Sequence, residues 1–585
     1  MIEKIVAEWR QKSSYTVLDT AFEAGQQFLA IWQAWRDDAA RPQQLHYLAW
    51  LPTGLSIAEM AQKQSEWAEL SEALLAVWPV AVPGFHRIYL DQNQIVLTLM
   101  IGDSAKCVQQ IDARIDAFYL SAQDWPLSLW TRLGRLAKAQ AILRMPMSSD
   151  SQQKMVENAG FVFENTPGAA VKNACFCPRW RITTPRTQPP PVQRHAIILG
   201  AGLAGAAACQ RLALRGWKVT LIERHANIAQ EASGNLAGIF MPLLSRDDNP
   251  TSRLSRNAYL FARHVWQSLG GIGNGFSGAA CGVLQIARDA AHAEAQQNLS
   301  QQTDFPAEYA QWLAQPAASA LLGAPVSGGG WLFPGGGWVH PQSLCRAMLQ
   351  ACGSQLQTHF NVSASTLIKM ADSWQVCDEN GAEIATAPVV ILANGMGALS
   401  FPQTCDLPLT AIRGQVTYLD AESAPAIMPV LCGDGYLTPA INGLCSIGAT
   451  YDNDAETALR QSSQDENLAR LHQILPDWTA DVTVLPLTGR VGFRCVATDR
   501  LPLVGALPDT TATSPLREPQ LKDIPRLPGL YGLLGYASRG LIWAPLAAEL
   551  LAAELNDEPL PIEAELAAAL DPARFILKAQ RRTKP

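Results

Sequence analysis

The sequence lacks the features of a membrane protein. None of its apolar runs reaches the roughly 18 residues of a membrane-spanning helix, and the first residues, MIEKIVAEWRQ, have no apolar core of the kind found in signal peptides. These absences predict a cytoplasmic protein without membrane contact. At 585 residues the chain is also too long for one hydrophobic core, and a prior of about 150 residues per domain predicts two to four domains.

Cysteine and positive charge are too scattered to define a site. Of the 12 cysteines only Cys175 and Cys177 lie close together, so the sequence has neither a zinc pattern nor a disulfide framework. We therefore expect buried free thiols and no metal site. The net charge of −7 excludes a global positive field for nucleic acid. A local basic cluster near the C-terminus is either a nucleic-acid contact or a solvated helix end; it consists of Arg574, Lys578, Arg581, Arg582 and Lys584.

The clearest motif is a dinucleotide-binding βαβ unit at 195–224, HAIILGAGLAGAAACQRLALRGWKVTLIER. The apolar run 196–199 predicts a buried parallel strand, and Gly200, Gly202 and Gly205 complete G-x-G-x-x-G at the start of a helix. These glycines allow a tight turn, close approach of a pyrophosphate, and contact between helix and strand. The amides at the helix N-terminus favour the negative diphosphate.

Three further positions extend this cofactor site. Glu223 ends the second strand, roughly 20 residues beyond the glycines, where a carboxylate meets a ribose hydroxyl, and Arg224 follows it. The run VVILANG predicts another buried strand, which ends at Gly395 and lets backbone lie against the dinucleotide.

The first part of the chain has the same strand–loop–helix order without the glycines. A strand at 15–18 precedes a loop that contains Glu23 and Gly25, and an amphipathic helix with Phe28 and Trp32 follows. Because only one glycine remains and a carboxylate stands in the loop, this loop is poorly suited to bring its backbone close to an anion.

The order of these segments resembles the bacterial bifunctional MnmC proteins of 5-methylaminomethyl-2-thiouridine biosynthesis in tRNA. Their first half is a methyltransferase that uses S-adenosylmethionine (SAM), and their second half is an FAD-dependent oxidoreductase. The resemblance implies an α/β fold with a Rossmann-like methyltransferase-type domain at 1–182 and a proline-rich linker at 183–194. An FAD-binding βαβ domain interleaved with a largely antiparallel α+β substrate domain then occupies 195–585. A monomer is expected.

The first half departs from the family pattern at the positions that serve SAM. The family loop is glycine-rich after an acid, whereas here Asp19 is followed by Glu23, which repels the carboxylate of the methionine moiety. The ribose-binding acid is replaced by Trp50 and Leu51, and the catalytic-loop aspartate by Ser121. We therefore predict that this domain keeps the methyltransferase fold but neither binds SAM nor methylates; residual methyl transfer is the alternative.

In the second half the resemblance extends the cofactor site. It places the turn of Ser233, Gly234 and Asn235 near the flavin and the pyrophosphate. The strand, turn and helix around 535–541 resemble the C-terminal flavin motif of the glycine and D-amino-acid oxidase superfamily. In that motif, the amides at the helix N-terminus hold the reduced flavin; the residues concerned here are Gly535, Gly540 and Leu541.

Two arginines align with those that glycine-oxidase-like enzymes bring to the substrate carboxylate. Arg494 is the first choice and Arg539 the second, because a planar guanidinium binds both oxygens of a carboxylate. Tyr436 either hydrogen-bonds the substrate or is a core tyrosine. Arg413 and Arg490 are weaker candidates, for which a structural role is the favoured interpretation.

The resemblance implies oxidation of a wobble uridine in tRNA that carries a 5-carboxymethylaminomethyl group. Hydride leaves the glycine-type carbon for FAD, and water hydrolyses the resulting imine to glyoxylate and 5-aminomethyl uridine. Two alternatives remain. One is an FAD-dependent oxidase of a small amino acid such as glycine or sarcosine, which would not need a first domain of about 180 residues. The other is a tRNA-binding scaffold with a vestigial flavin.

Overall fold

A computed structural model of the protein describes residues 2–52, 67–121, 125–147, 149–165, 170–180, 191–478, 487–512, 516 and 518–582. The chain divides into two compact units. Unit 1 consists of residues 1–190 and 553–568, and unit 2 of residues 191–552 and 569–585. Most of the predicted linker at 183–194 lies outside the described residues.

Unit 1 contains one mixed sheet with helices between its strands. Its strands are β1 Ser14–Asp19, β2 Gln44–Leu51, β3 Gly84–Leu90, β4 Ile95–Ile101, β5 Ile115–Tyr119, β6 Ala137–Pro146, β7 Phe161–Phe163 and β8 Val171–Phe176. Its helices within the first 190 residues are α1 Ile2–Trp9, α2 Gln26–Asp37, α3 Ala68–Ala76, α4 Ser104–Gln110, α5 Leu127–Leu136 and α6 Asp150–Asn158.

The sheet of unit 1 has the strand order β3-β4-β2-β1-β5-β6-β8-β7. The five central strands from β4 to β6 are parallel, and antiparallel strands complete both edges. The chain runs outward from β1 through β2 to β4 and then continues on the other side of β1 with β5. A parallel sheet that reverses its order in this way opens a crevice at the carboxyl ends of the two strands concerned, here β1 and β5.

The predicted strand and helix at the start of unit 1 are present. The predicted strand at 15–18 lies within β1, and the apolar face of α2 is buried against the sheet by Phe28, Leu29, Trp32 and Trp35. Helix α2 begins after Gly25, which has a φ of 77°. The first domain therefore has the doubly wound α/β architecture expected from the sequence.

Unit 2 combines a parallel sheet with antiparallel ones. Its strands are β9 His195–Leu199, β10 Lys218–Glu223, β11 Gly238–Phe240, β12 Gly278–Ala279, β13 Val283–Ile286, β14 Gln311–Leu313, β15 Gly330–Phe333, β16 Gly337–Val339, β17 Leu356–Phe360, β18 Thr366–Lys369, β19 Trp374–Cys377, β20 Glu383–Ala387, β21 Val389–Leu392, β22 Leu409–Asp420, β23 Val430–Cys432, β24 Tyr436–Leu437, β25 Leu444–Gly448, β26 Thr488–Ala497, β27 Leu503–Pro508 and β28 Arg526–Leu534.

The helices from residue 191 onward follow the same numbering. They are α7 Leu203–Ala213, α8 Pro250–Ser268, α9 Ala290–Gln302, α10 Gln315–Leu322, α11 Pro341–Gln350, α12 Gln461–Ile474, α13 Gly540–Leu555, α14 Ala564–Leu570 and α15 Arg574–Arg582. Short 3-10 helices occur at Gly353–Gln355, Gly395–Ser400 and Leu521–Asp523.

The parallel sheet of unit 2 has the order β17-β10-β9-β21-β28-β27. All neighbours are parallel except β27 and β28. Strand β9 is buried from Ala196 to Leu199, as its continuous apolar sequence predicts for a strand covered on both faces. Here β9 is the strand at which the order reverses, so its carboxyl end opens the crevice of this unit.

A second large sheet has the order β14-β15-β13-β23-β24-β25-β22-β26 and is antiparallel except between β13 and β23. Its longest ladder joins β22 to β26 over ten residue pairs, from Leu409 with Ala497 to Tyr418 with Thr488. Two three-stranded sheets, β11-β16-β12 and β18-β19-β20, complete the unit. The predicted FAD-binding βαβ fold with a largely antiparallel companion is confirmed.

The segment 553–568 departs from the predicted continuous second domain of 195–585. Its backbone bonds to unit 1: the amide of Leu560 donates to the carbonyl of Asp112 at 2.9 Å, and Arg87 donates to the carbonyl of Pro559 at 2.6 Å. The amide of Glu565 also donates to Gln110 at 2.9 Å. These pairings join residues that are more than 400 positions apart in the chain, so local sequence patterns cannot indicate them.

Among the described residues, no helix combines the length and the apolar character that a membrane span requires.

Candidate functional site

The main cleft of unit 2 lies at the carboxyl end of β9 and has a volume of about 920 Å³. Its lining joins the glycine turn after β9, the end of β10, the turn at 229–235, the end of β21, and the start of α13. It continues along the antiparallel sheet as far as Arg494 and Tyr436. Most of the residues proposed from the sequence line this one cleft: Gly200, Gly202, Glu223, Arg224, Ser233, Asn235, Gly395, Tyr436, Arg494, Gly535, Arg539, Gly540 and Leu541.

Gly205 and Gly234 do not line the cleft, but they allow close contacts between the segments that form it. A Cβ atom at Gly205 would lie 1.8 Å from the carbonyl oxygen of Gly200, so only glycine lets α7 lie this close to the end of β9. A Cβ atom at Gly234 would lie 2.5 Å from a guanidinium nitrogen of Arg490.

The glycine turn after β9 leaves a cradle that could hold a diphosphate. Gly200 has a φ of 101°, and a Cβ atom there would lie 2.8 Å from the carbonyl oxygen of Ala393. A Cβ atom at Gly202 would lie 3.1 Å from the hydroxyl of Ser233, which accepts a hydrogen bond from the amide of Leu203 at 3.2 Å. Because side chains would fill this space and the first turn of α7 directs amides into it, the cradle fits the pyrophosphate of FAD.

Glu223 is held at the edge of this cradle by backbone donors. Its carboxylate accepts from the amide of Ala201 at 2.7 Å and from the amide of His225 at 3.0 Å. Each carboxylate oxygen retains a lone pair for a further donor, which a ribose hydroxyl can supply. Arg224 points outward and pairs with Glu231, so it lines the cleft at an exposed position.

The turn at 229–235 is fixed by Arg490. This guanidinium donates to the carbonyls of Gln230 and Glu231 at 2.6 Å each and to Asn235 Oδ1 at 3.3 Å. Burial lowers the pKa of Arg490 from its ordinary value. Arg490 therefore has the structural role that the sequence favoured for it, although its partners are carbonyl groups rather than a carboxylate.

The opposite wall of the cleft is the start of α13. Strand β28 ends at Leu534, Gly535 turns the chain with a φ of 75°, and α13 begins at Gly540. Gly540 and Leu541 line the cleft, so the positive end of this helix dipole faces it and favours negative charge there. Leu541 lies close to Gly238, since a Cβ atom on Gly238 would lie 2.6 Å from Leu541 Cδ1.

Arg494 reaches the cleft from β26. A Cβ atom at Gly414, on the neighbouring strand β22, would lie 2.2 Å from Arg494 Nη1, so the guanidinium fills the space that a side chain would occupy. Arg494 donates to the carbonyl of Thr450 at 2.9 Å and lies over the ring of Tyr451 at 5.6 Å. Burial lowers the pKa of Arg494, and Tyr436 and Tyr451 partly oppose this.

Arg539 is the second guanidinium of the cleft. Burial lowers the pKa of Arg539 to about 10, an effect that nearby Cys432 opposes. Within the described residues, neither Arg494 nor Arg539 forms an ion pair with a carboxylate. Arg494 and Arg539 are half buried, and two such cations without a carboxylate partner among the described residues make this part of the cleft suited to an anionic ligand.

Tyr436 lies beside Arg494 at the start of β24. Burial raises the pKa of Tyr436, and the positive charge of Arg494 opposes the shift. A Cβ atom at Gly448 would lie 3.1 Å from its hydroxyl oxygen. The phenol is therefore un-ionised at neutral pH and is able to donate a hydrogen bond into the cleft.

Arg413 does not reach the cleft. It is completely buried and donates to Asp452, Gln415, and the carbonyls of Glu456 and Ala458 at 2.8 to 3.0 Å. These contacts fix the loop at 449–460. This geometry agrees with the structural interpretation of Arg413.

Several cleft residues were not identified from the sequence. Asn394 and Tyr536 line the cleft, and their Oδ1 and hydroxyl oxygen are buried without a hydrogen-bond partner in the described residues. Met241 is half buried and also lines the cleft. Asn394 directly precedes Gly395, and Tyr536 directly follows Gly535. Their position next to these glycine turns is the sequence signal that could have identified them.

In the described part of the crevice of unit 1, polar side chains bond to one another and to the backbone. Asp19, at the end of β1, accepts from the hydroxyl of Tyr47 at 2.5 Å and from the amide of Ala21 at 2.7 Å. Burial raises the pKa of Asp19 to about 6, against the effect of these two hydrogen bonds, and the charge of nearby Glu23 adds to the rise.

Hydrogen bonds also join the ends of β1 and β5. The hydroxyl of Ser121 donates to the carbonyl of Thr20 at 2.8 Å, and the amide of Ser121 donates to Thr20 Oγ1 at 3.0 Å. Glu23 adopts a φ of 47°, a conformation that favours glycine, and is exposed. Trp50 donates to the carbonyl of Gly102 at 2.8 Å.

Two family models match the chain. A model described as FAD dependent oxidoreductase matches residues 195–554, and a model described as S-adenosyl-L-methionine-dependent methyltransferase matches residues 65–179. The second match does not include the loop between β1 and α2.

The chain is similar over almost its entire length to curated bacterial proteins. The protein named tRNA 5-methylaminomethyl-2-thiouridine biosynthesis bifunctional protein MnmC from Burkholderia thailandensis is 41% identical over 602 aligned residues. The alignment covers 98% of this chain and 92% of the relative. The protein of the same name from Burkholderia multivorans is 40% identical with the same coverage.

Solved structures share the fold of unit 2. Glycine oxidase from Geobacillus kaustophilus aligns with a TM-score of 0.54 and 19% identity, over 65% of this chain and 99% of that one. Iminodiacetate oxidase from Chelativorans sp. BNC1 aligns with a TM-score of 0.51 and 23% identity, over 62% and 96%.

Replacing Gly205 by alanine should remove the flavin. The new methyl group would overlap the carbonyl oxygen of Gly200, so α7 must move away from β9. We expect at least about a tenfold loss of bound FAD, measured as flavin absorbance per mole of purified protein. Gly328→Ala is the matched control because its Cβ atom would have no neighbour closer than 3.9 Å. Normal flavin content in Gly205→Ala would contradict the role assigned to this contact.

The raised pKa of Asp19 predicts how pH affects the stability of unit 1. The unfolded state loses this proton at a lower pH than the folded state, so the free energy of unfolding should fall as pH rises from about 4 to 6. In Asp19→Asn this contribution is absent. Relative to that of wild type, the free energy of unfolding of the variant should therefore rise by about 2 to 3 kcal/mol between pH 4 and pH 7. Urea unfolding followed by tryptophan fluorescence measures this; parallel pH profiles would refute the assignment.

Proposed function

The chain belongs to the MnmC family of bifunctional tRNA 5-methylaminomethyl-2-thiouridine biosynthesis proteins, and on this basis we propose that unit 2 oxidises a modified wobble uridine in tRNA. The substrate is 5-carboxymethylaminomethyl-(2-thio)uridine, and the products are 5-aminomethyl-(2-thio)uridine and glyoxylate. The observation that carries the proposal is a cleft in which a cradle suited to a dinucleotide continues into a pocket with two guanidiniums that have no carboxylate partner among the described residues. The reaction takes place in the cytoplasm, where tRNA is found, and the protein acts as a monomer.

The cofactor is FAD. The turn of Gly200 and Gly202 would hold its pyrophosphate, Glu223 its ribose, and the start of α13 the flavin ring. Bound FAD supplies an acceptor for two electrons and a proton as a hydride. The protein contributes binding, orientation and electrostatics.

Arg494 binds the carboxylate of the carboxymethyl group in this proposal. Its guanidinium donates to the carbonyl of Thr450 and lies in the space that a side chain at Gly414 would fill. It is therefore oriented before the substrate binds. A bidentate pair with a carboxylate is stronger and more directional than a single hydrogen bond. Arg539 adds a second positive charge, and Tyr436 a hydroxyl donor.

The same groups keep the substrate amine neutral. A protonated amine has no lone pair to support the loss of hydride from the adjacent carbon. Burial disfavours the charged amine, and the positive charges of Arg494 and Arg539 disfavour it further. No general base is required, so we assign none of the nine histidines to catalysis.

We infer that unit 1 keeps the methyltransferase fold without SAM binding or methyl transfer. The inference is supported by Glu23 in the loop, by the Thr20–Ser121 hydrogen bonds across the crevice, and by Trp50 at the end of β2. Its remaining role would be structural or in docking tRNA.

Oxidation of a small amino acid remains the second candidate function for unit 2. The pocket would accept the carboxylate and amine of glycine or sarcosine as well as those of the modified base. The full-length similarity to tRNA-modifying proteins favours the tRNA substrate.

Flavin bleaching under anaerobic conditions tests the substrate. With tRNA that bears the carboxymethylaminomethyl group, the wild-type flavin should be reduced, whereas Arg494→Lys should lose about 2 kcal/mol of binding, a factor of about 30 in the half-saturating tRNA concentration. Arg288→Lys is the control because Arg288 is exposed and pairs only with Asp289 among the described residues. Reduction by glycine or sarcosine but not by this tRNA would support the amino-acid oxidase instead.

Nucleoside analysis of tRNA tests the two units together. After incubation of carboxymethylaminomethyl tRNA with the protein and an electron acceptor, 5-aminomethyl uridine should accumulate equally with and without added SAM. Conversion to 5-methylaminomethyl uridine when SAM is present would show that unit 1 is active. In that case Glu23 and Ser121 would not have the effects assigned to them.

A further inference from the structure

The rim of the cleft in unit 2 carries an exposed aromatic side chain that the proposed chemistry does not use. Tyr451 lines the cleft, and 48% of its surface is exposed. Exposed large aromatic side chains at the mouth of a pocket offer a flat apolar surface to a ligand.

The backbone around Tyr451 is held rigidly. The amide of Thr450 donates to the carbonyl of Gln415 at 3.2 Å, and Asp452 exchanges two backbone hydrogen bonds of 2.9 and 3.0 Å with Arg413. The hydroxyl of Thr450 also donates to the carboxylate of Asp452 at 3.0 Å. Both neighbours of Tyr451 are therefore anchored to β22, while its ring projects to the rim.

The network below the loop adds to this rigidity. Arg413 is completely buried and bonds to Asp452, Glu456 and Ala458. A buried arginine that ties three parts of one surface loop limits the movement of the loop. The backbone that carries the ring thus loses little conformational freedom when a ligand binds, which favours a pre-organised contact.

The position of the ring relative to Arg494 indicates what the ligand is. The guanidinium carbon of Arg494 lies 5.6 Å from the centre of the Tyr451 ring. In the proposed substrate, four bonds separate C5 of the uracil ring from the carboxylate carbon, a reach on the order of 5 Å. When the carboxylate binds Arg494, the base is therefore within reach of Tyr451.

We propose that Tyr451 is the stacking platform for the modified base of the tRNA and so selects a nucleotide over a free amino acid. This inference rests on the proposed function of unit 2 and names the residue that recognises the base. Proteins recognise bases in single-stranded RNA loops largely by stacking them on aromatic side chains. In this arrangement Arg494 binds the carboxylate, and Tyr451 stacks against the uracil ring that carries the carboxymethylaminomethyl group.

Substitution of Tyr451 by alanine and by leucine in the full-length holoenzyme tests the proposal. Alanine removes the ring, and leucine keeps apolar bulk without an aromatic face. With carboxymethylaminomethyl tRNA, both variants should raise the half-saturating concentration at least about tenfold, while the limiting rate of flavin reduction changes less than about twofold. Tyr451→Phe should restore wild-type behaviour, because stacking needs the ring and not the hydroxyl group.

A control variant on the same loop separates an effect of the Tyr451 ring from a general effect of changing this loop. Leu459→Ala changes an apolar side chain of similar exposure, 49%, on the same loop, and it should leave both constants unchanged. If wild type is not reduced by this tRNA, the proposed function fails. If wild type is reduced and Tyr451→Leu has a half-saturating concentration within twofold of wild type, the role of Tyr451 is wrong. Should Tyr451→Ala lose its flavin, the leucine variant decides the matter.

Discussion

The close approach of α7 to the end of β9 is the constraint on which the second unit depends. It requires hydrogen in place of a side chain at Gly205, because a Cβ atom would lie 1.8 Å from the carbonyl oxygen of Gly200. This contact sets where the first amides of α7 point. Ser233 bonds to one of them, Arg490 fixes the turn that carries Ser233, and the end of β21 lies against Gly200. A shift of α7 would therefore disturb every wall of the dinucleotide cradle.

The second constraint is electrostatic. Partial burial of a guanidinium without a carboxylate partner is unfavourable, and among the described residues the cleft contains two such half-buried groups, Arg494 and Arg539. The protein tolerates this cost because Arg494 bonds to the carbonyl of Thr450 and lies against Tyr451. An anionic ligand would supply the missing negative charge, which agrees with the carboxylate-bearing substrate proposed for this cleft. The same positive charge disfavours a protonated amine beside it, so one arrangement serves both binding and reactivity.

The sequence predicted the parts of this site that are local. The glycine turn, Glu223 at the end of β10, and the turn from Gly535 to α13 each occupy one continuous stretch in which residue spacing reports the geometry. Gly414 could not be found in this way, because its importance arises only when β22 pairs with β26 and the guanidinium of Arg494 lies over it. Tyr451 is similar, since a single tyrosine in a loop has no periodic pattern.

The domain boundaries show the same limit. The proline-rich segment at 183–194 was predicted as the linker between two domains, and the two compact units are divided after residue 190. The return of residues 553–568 to unit 1 depends on backbone hydrogen bonds such as that between Leu560 and Asp112. Backbone groups carry no sequence signal, so such pairings are visible only in the fold.

Both units open a crevice at the carboxyl edge of a parallel sheet, yet they differ in which polar groups remain available. In unit 1, Asp19 is satisfied by Tyr47 and Ala21, and Ser121 bonds to Thr20 across the two strand ends. In unit 2, among the described residues, Asn394 Oδ1 and the hydroxyl of Tyr536 are buried without partners beside the glycine turns. Because a buried polar atom without a partner costs about 1 to 3 kcal/mol, such atoms indicate where a ligand completes the structure. Similar topology alone therefore does not make two crevices equivalent; among the described residues they differ in which polar atoms have a hydrogen-bond partner within the protein.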